Sequence, residues 1–446
     1  KLMIGYVGVV AGIAVLVFLA FKRVNVIVST CLCAVIIGLT NQMPFWSIFT
    51  DYYLPSAGTW VSQYFLLFVC SGIYARVLSE SGSAAAIAYK IIDAFGKERV
   101  ILATALLVMA LTYGGLSGFV SIFLVWPICV GLARETQKPK VLFLAVFYFG
   151  FLTLAYAALP GSPQLSNVLA AQMLGTTPTA APILSLVASV IIFVLGYAYL
   201  IRLDRSYTRQ GKVFEENGKG IDIPLIARAA CPPFAAAVAP MVILLLLFMG
   251  LSNGWFSPFG LPRTETLPAI ISALLAASFV CVLLNYKKIK EIPAMLSKGA
   301  QDAISPLVSL FTMVAFSEVV SATPAFASFV TWVHNIPGHP YFQVAVAANA
   351  IGVVTASAST TVQITLNAFA QHWLASSQVN PEALTRIVAL ASVGLSCGPH
   401  AGGMFANLAV SGENLKDIFV PYFIACGVVS TIALLVTIGL ALLGIV

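Results

Sequence analysis

Four interruptions in otherwise apolar sequence hold the residues able to do chemistry. The first contains Gly114, Gly115, Ser117, Gly118 and Ser121. The second is Pro160-Gly161-Ser162-Pro163, followed by Gln164, Ser166 and Asn167. The third contains Ser357, Ser359, Thr360 and Thr361, and the fourth Ser396, Gly398-Pro399-His400-Ala401-Gly402-Gly403 and Asn407. Proline removes a helix hydrogen bond and glycine relieves crowding, so both unwind a helix and free its backbone groups. Hydroxyls and amides beside freed backbone suit a small polar ligand, and a half-helix N-terminus offers free N–H groups and partial positive charge to an anion. The candidate binding residues are therefore Ser117, Gly118, Ser121, Gly161, Ser162, Gln164, Asn167, Ser357, Ser359, Thr360, Thr361, His400 and Asn407. The alternative for each interruption is a proline kink or close packing of small residues.

Two ionisable residues add a second kind of chemistry. His400 is the one histidine expected at membrane depth, since His334, His339 and His372 fall in or beside outer loops. It could contact a carboxylate or carry a proton near neutral pH; its alternative is a neutral ring bonded to a carbonyl freed by Pro399. Glu318, in Ala315-Phe316-Ser317-Glu318-Val319, could carry a proton or pair with Arg76; its alternative is a carboxylate at a helix end. Arg76 and Glu80 are spaced for an i,i+4 salt bridge. The interruptions lack Asp, Lys and Arg, which leaves no fixed cation for a substrate carboxylate. No Walker loop, zinc motif or nucleophile elbow is present, so neither ATP-driven pumping nor hydrolase chemistry has support, and no cofactor or metal is expected.

The elements that must position these residues are membrane helices. Of 446 residues, 60% are hydrophobic and 9% charged, and the mean hydropathy is +0.98. A water-soluble fold could not hide that much apolar surface, which excludes soluble enzymes and nucleic-acid binders. The eight cysteines have no metal spacing. The first apolar run lacks a small-residue cleavage site before Lys22-Arg23 and reads as a span.

Apolar runs near residues 3–21, 24–42, 58–78, 182–201, 231–251, 267–286, 303–333 and 418–446 are each long enough to cross a bilayer, and 141–174 and 385–411 are long but broken. Residues 100–134 and 341–375 read as re-entrant hairpins. With that threading all basic residues but Lys1, Arg263 and Arg386 lie on the cytoplasmic side. The expected fold is all-α and polytopic, with about ten transmembrane helices, two hairpins and two broken helices. Residues 1–202 and 229–446 repeat one order (three spans, hairpin, broken span, span) in inverted orientation, joined by a cytoplasmic linker at 203–228. Inverted repeats with broken helices are the layout of secondary transporters, which bind substrate near the midplane at the breaks.

These residues resemble the gluconate permease (GntP-type) family of the ion transporter superfamily over nearly the whole chain. The resemblance rests on Arg76-x3-Glu80-Ser81 with Gly82-Ser83-Ala84-Ala85, on Trp126-Pro127 through Arg134-Glu135, and on Leu159-Pro160-Gly161-Ser162-Pro163 with Leu174-Gly175. It also rests on Ala358-Ser359-Thr360-Thr361-Val362 and Ser411-Gly412-Glu413-Asn414-Leu415-Lys416. It implies proton-coupled uptake of small organic acids, such as sugar acids, hydroxybutyrate or D-serine, by an oligomer in the bacterial inner membrane. By this likeness the hairpin tips and broken helices form the substrate site. Ser117 and Ser121 stand where the family often has an acidic residue, and Pro399-His400 where it often has Asp. The resulting expectation is a proton symporter of a small organic anion, with His400 and Glu318 in ion coupling. Its expected partners are the lipid bilayer and, in a homo-oligomer read as a dimer, a second copy of itself, with both termini outside. Sodium coupling and a channel-like anion pore are the rival readings.

Overall fold

A computed structural model describes residues 2–22, 24–116, 118–216, 227–289 and 291–446. Among these every regular element is a helix. The first half runs α1 (Leu2–Phe21), α2 (Val26–Thr40), α3 (Phe45–Glu80), α4 (Ser83–Phe95), α5 (Val100–Tyr113), α6 (Gly118–Thr136), α7 (Lys140–Ala158), α8 (Leu165–Met173) and α9 (Pro182–Arg209). The second runs α10 (Phe234–Asn253), α11 (Thr266–Asn285), α12 (Ile292–Ser321), α13 (Pro324–His334), α14 (Pro340–Thr355), α15 (Ala358–Leu374), α16 (Pro381–Gly394), α17 (Gly402–Ser411) and α18 (Leu415–Leu442). Seven of these, α3, α7, α9, α10, α11, α12 and α18, are long and apolar enough to cross a membrane.

Helix–helix packing places the interruptions. The α5–α6 turn and the α14–α15 turn are tight reversals. Each hairpin leans on the helix before the break in its own half, α5 on α7 and α14 on α16. It also leans on the helix after the break in the other half, with α6 on α17 and α15 on α8. The two helices before the breaks form the centre of the molecule: α7 is buried from Lys140 to Phe149, and α16 from Ala383 to Gly394. From Val141 onward α7 is almost wholly apolar, as such a core favours, whereas α16 buries Thr385, Arg386 and Ser392 among its apolar residues.

Three elements differ from the sequence reading. The run 303–333 is not continuous: Thr323 caps a separate helix, its Oγ1 accepting from the Phe326 N–H at 3.2 Å with Pro324 in the first turn. A short helix, α4, follows Gly82, whose φ of +73° glycine adopts without penalty. The helix expected to end at 202 runs on to Arg209, so Asp204, Arg205 and Arg209 are helical rather than linker. Residues 217–226 of the linker lie outside the described residues. The Arg76–Glu80 pair forms at 2.6 Å.

Candidate functional site

Each break has a local cause. In the first, α7 widens into a π-helical stretch over Gly150–Ala158 before Leu159 turns extended and Pro160 stops the helix. Gly161 follows at φ +74°, where a Cβ would lie 2.4 Å from the Met249 sulfur. In the second, α16 stops at Gly394 and the Asn349 side chain of hairpin helix α14 accepts from the freed Leu395 N–H at 3.0 Å. Gly352 lets the same hairpin approach, since a Cβ there would lie 2.7 Å from Ser396 Oγ.

The two breaks end in different states. The second opens onto a cavity of about 400 Å³, walled by the α14–α15 tip (Thr355, Ser357, Ser359), the break itself (Ser396, Cys397, His400, Asn407) and the aromatic face of α7 (Tyr148, Phe151, Tyr156). Leu16, Val24, Ser29, Ser309 and Met313 complete it, so it extends to the α1–α2 turn, beside Lys22. Its wall carries hydroxyls, one amide and one imidazole, and no Asp, Glu, Lys or Arg among the described residues. His400 Nε2 lies 3.3 Å from the Val354 carbonyl, which fixes the ring, while Nδ1 has no partner. Asn407 Oδ1 is likewise buried without a partner. Thr360 and Thr361 stand behind the wall. Thr361 Oγ1 joins Thr355 Oγ1 at 2.8 Å and Ser396 Oγ at 3.1 Å, tying the hairpin tip to the break. Thr360 Oγ1 donates to Ser357 Oγ at 2.9 Å.

The first break is closed on itself. Gln164 Nε2 donates to the Thr112 and Leu116 carbonyls at 2.6 and 3.2 Å, and Asn167 Nδ2 to those of Ser162 and Pro178 at 2.8 and 3.1 Å. Ser162 donates to Ala155, and Tyr113 OH to Pro160 at 2.7 Å. Gly161, Ser162, Gln164 and Asn167 thus satisfy freed backbone, and none of them lines the cavity. Gly118 opens α6, and Ser121 is fully buried on that helix and does not line the cavity; Ser117 lies outside the described residues. Glu318 is exposed on α12 and does not wall the cavity. The expected partner, Arg76, is taken by Glu80 and by Asp302 at 3.5 Å. Of the candidate residues, Ser357, Ser359, His400 and Asn407 therefore share one cavity.

The chain matches the GntP family permease model over residues 4–443. It belongs to the GntP permease family. As a GntP permease it is a multi-pass membrane transporter and not an enzyme. It is 27% identical to the uncharacterized transporter YxjC of Bacillus subtilis (strain 168), over 92% of this chain and 94% of that one. A second uncharacterized transporter, from Haemophilus influenzae, is 28% identical over 40% of each chain. The crystal structure of the Alcanivorax borkumensis YdaH transporter, described as having an unusual topology, superposes with a TM-score of 0.57. It covers 87% of this chain and 88% of that one at 14% identity, a likeness of fold.

Sequence reasoning missed two kinds of residue in this permease. Tyr148, Phe151 and Tyr156 sit in an uninterrupted apolar run and read as core. The charge asymmetry puts Arg386 at the outer end of the broken run 385–411, and the interruptions read as lacking a cation. In the structure α16 begins at Pro381, which puts Arg386 in its second turn with no exposure at all, against the first break.

Gly398 offers a direct test of the cavity wall. A Cβ there would lie 2.8 Å from His400 Cε1 and 3.3 Å from Ala356 Cβ, so Gly398→Ala forces the ring off the Val354 carbonyl. Displacing a binding group by about 1 Å can cost on the order of a hundredfold in rate. Uptake by Gly398→Ala should therefore fall at least tenfold, while its gel-filtration profile stays that of wild type.

Proposed function

We propose that this permease is a secondary transporter importing a small polar organic acid together with a proton, and that it binds the acid in the cavity between the α14–α15 tip and the second break. The observation that carries the reading is the cavity wall. A volume of about 400 Å³ is that of a small-molecule site. Hydroxyls of Ser357, Ser359 and Ser396 suit the oxygens of an acid, and the Asn407 amide in the same wall suits a hydroxyl of it. His400, the one imidazole in that wall among the described residues, can exchange a proton near neutral pH. We further take the two halves as inverted repeats and the basic end, with Lys22, as cytoplasmic. The cavity then faces inward, the sealed first break closes the outer path, and transport exchanges the two. The membrane is taken as a bacterial inner membrane and the working unit as a homo-oligomer.

A sodium-coupled reading has one observation of its own, the Thr355–Thr361–Ser396 hydroxyl cluster. The test separates them. Purified protein is reconstituted with a trapped pH dye under clamped potential, and gluconate, 3-hydroxybutyrate and D-serine are added outside, with empty vesicles as control. Internal acidification by one of these, saturating with concentration, is the expected result. Uptake that needs sodium and ignores pH selects the sodium reading, and current without saturation selects a pore. No response to any acid under either gradient overturns the proposal.

A further inference from the structure

Arg386 has an environment that its fold does not explain. Its guanidinium, charged in any protein setting, is fully buried and forms no ion pair among the described residues. Its partners are three carbonyls: Ala157 at 2.6 Å, Pro178 at 3.4 Å and Ala180 at 3.3 Å; its Nε has none. Glu382, one turn earlier, instead accepts from the Ala181 N–H at 3.4 Å. A buried charge without a counter-charge is costly, and in membrane transporters such groups stand on the substrate path.

All three acceptors belong to the first break or the loop that covers it. The Pro178 carbonyl also accepts from Gly161 N–H and from Asn167 Nδ2, so Arg386 and Asn167 meet on one atom. Beside them Asn167 Oδ1 is buried without a partner, and α8 starts there with no side-chain cap from Gln164. A guanidinium, the Asn167 amide and an uncapped helix N-terminus thus converge where, among the described residues, no carboxylate pairs with the guanidinium. That is the donor set an incoming anion needs. In the order of elements this break is the counterpart of the one that holds the cavity.

We propose that Arg386 is the cation that recognises the carboxylate of the transported acid when the first break opens outward, with Asn167 as its companion. This rests on the organic-acid reading above. In the closed form the carbonyls of Ala157, Pro178 and Ala180 stand in for the carboxylate oxygens. On opening, the acid replaces them in a forked, charge-assisted pair.

The test is charge rescue at this position. Arg386→Cys in proteoliposomes is treated from outside with aminoethyl methanethiosulfonate, which restores a cation, or with methyl methanethiosulfonate, which does not; wild type treated alike corrects for native cysteines. The unmodified variant should show a KM for the acid raised at least about thirtyfold, the lower end of what losing one partner of a buried charge pair costs. The aminoethyl adduct should recover most of that loss and the methyl adduct none. A wild-type KM in the unmodified variant, or equal rescue by both reagents, overturns the proposal.

If the cysteine variant does not fold, Arg386→Lys serves instead: it should transport with a raised KM, and a folded Lys variant with no uptake also overturns it. Wild-type vesicles that take up none of the acids count against the organic-acid reading itself. Labelling then decides the outward opening independently. Reaction at position 386 with an impermeant maleimide added outside supports the proposal, and no reaction overturns it.

Discussion

His400→Ala should abolish uptake and leave the protein folded. The ring is half-buried and lines the cavity, held by one contact to the Val354 carbonyl with its other nitrogen free. Truncation therefore opens space at a wall already facing a cavity rather than leaving a void in a packed core, and the melting temperature should move little. The loss of rate should reach at least about a hundredfold, the order that a positioned proton-transfer group supplies. His400→Gln divides the two roles of the ring. Its amide can still donate to Val354 and to an acid but cannot exchange a proton, so it should bind the acid with a KM near wild type and fail to acidify the vesicle interior. Wild-type uptake in the alanine variant would remove His400 from the mechanism and favour the hydroxyl cluster at Thr355, Thr361 and Ser396 as an ion site.

How much of this was legible in sequence differs between the two breaks for a physical reason. Proline, glycine and hydroxyl residues mark where a helix must unwind, so the interruptions at 160–163 and 398–403 and the tips at 114–118 and 355–361 could be located from residue types alone. Those features do not state which break is open. Asn167 and Asn407 follow their breaks at nearly the same spacing and each leaves its Oδ1 without a partner, yet Asn167 spends its Nδ2 on Ser162 and Pro178 away from the cavity while Asn407 stands in the cavity wall. That difference belongs to the conformation.

The aromatic wall was invisible for another reason: a tyrosine in an apolar run looks the same whether it faces a core or a cavity. Arg386 does leave a signal in the sequence, as one of three basic residues that break the charge asymmetry of the loops. An exception to that asymmetry is either an outer-loop residue or a cation within the protein, and only the start of α16 at Pro381 decides between them. Glu318 is the converse case. Its position in mid-run suggested burial, but helical phase turns it to the outer face of α12, away from the cavity.

A disulfide between positions 176 and 385 should stop transport completely and reversibly. If the inward cavity and the sealed first break are two ends of one cycle, the seal must part in every turnover. It is made by the segment 174–181, strapped to three elements. Thr176 Oγ1 meets Thr385 Oγ1 of α16 at 2.8 Å, Thr179 donates to Asn253 of α10 at 2.7 Å, and Arg263 Nη2 donates to the Thr176 carbonyl at 3.2 Å. The Thr176–Thr385 contact joins the two halves, and its hydroxyl oxygens are close enough for paired cysteines to bridge without moving the backbone far. Thr176→Cys with Thr385→Cys should therefore transport when reduced, lose uptake on mild oxidation and recover it with reductant. Each single variant, which loses one part-buried hydroxyl contact, should stay active under both conditions. The oxidised protein should still bind the acid from the cavity side, read as a rise in melting temperature with added acid. That result separates a locked transporter from a damaged one. Full uptake by a demonstrably cross-linked protein would mean that this seal does not open in the cycle, and the route past Arg386 would then have to be given up with it.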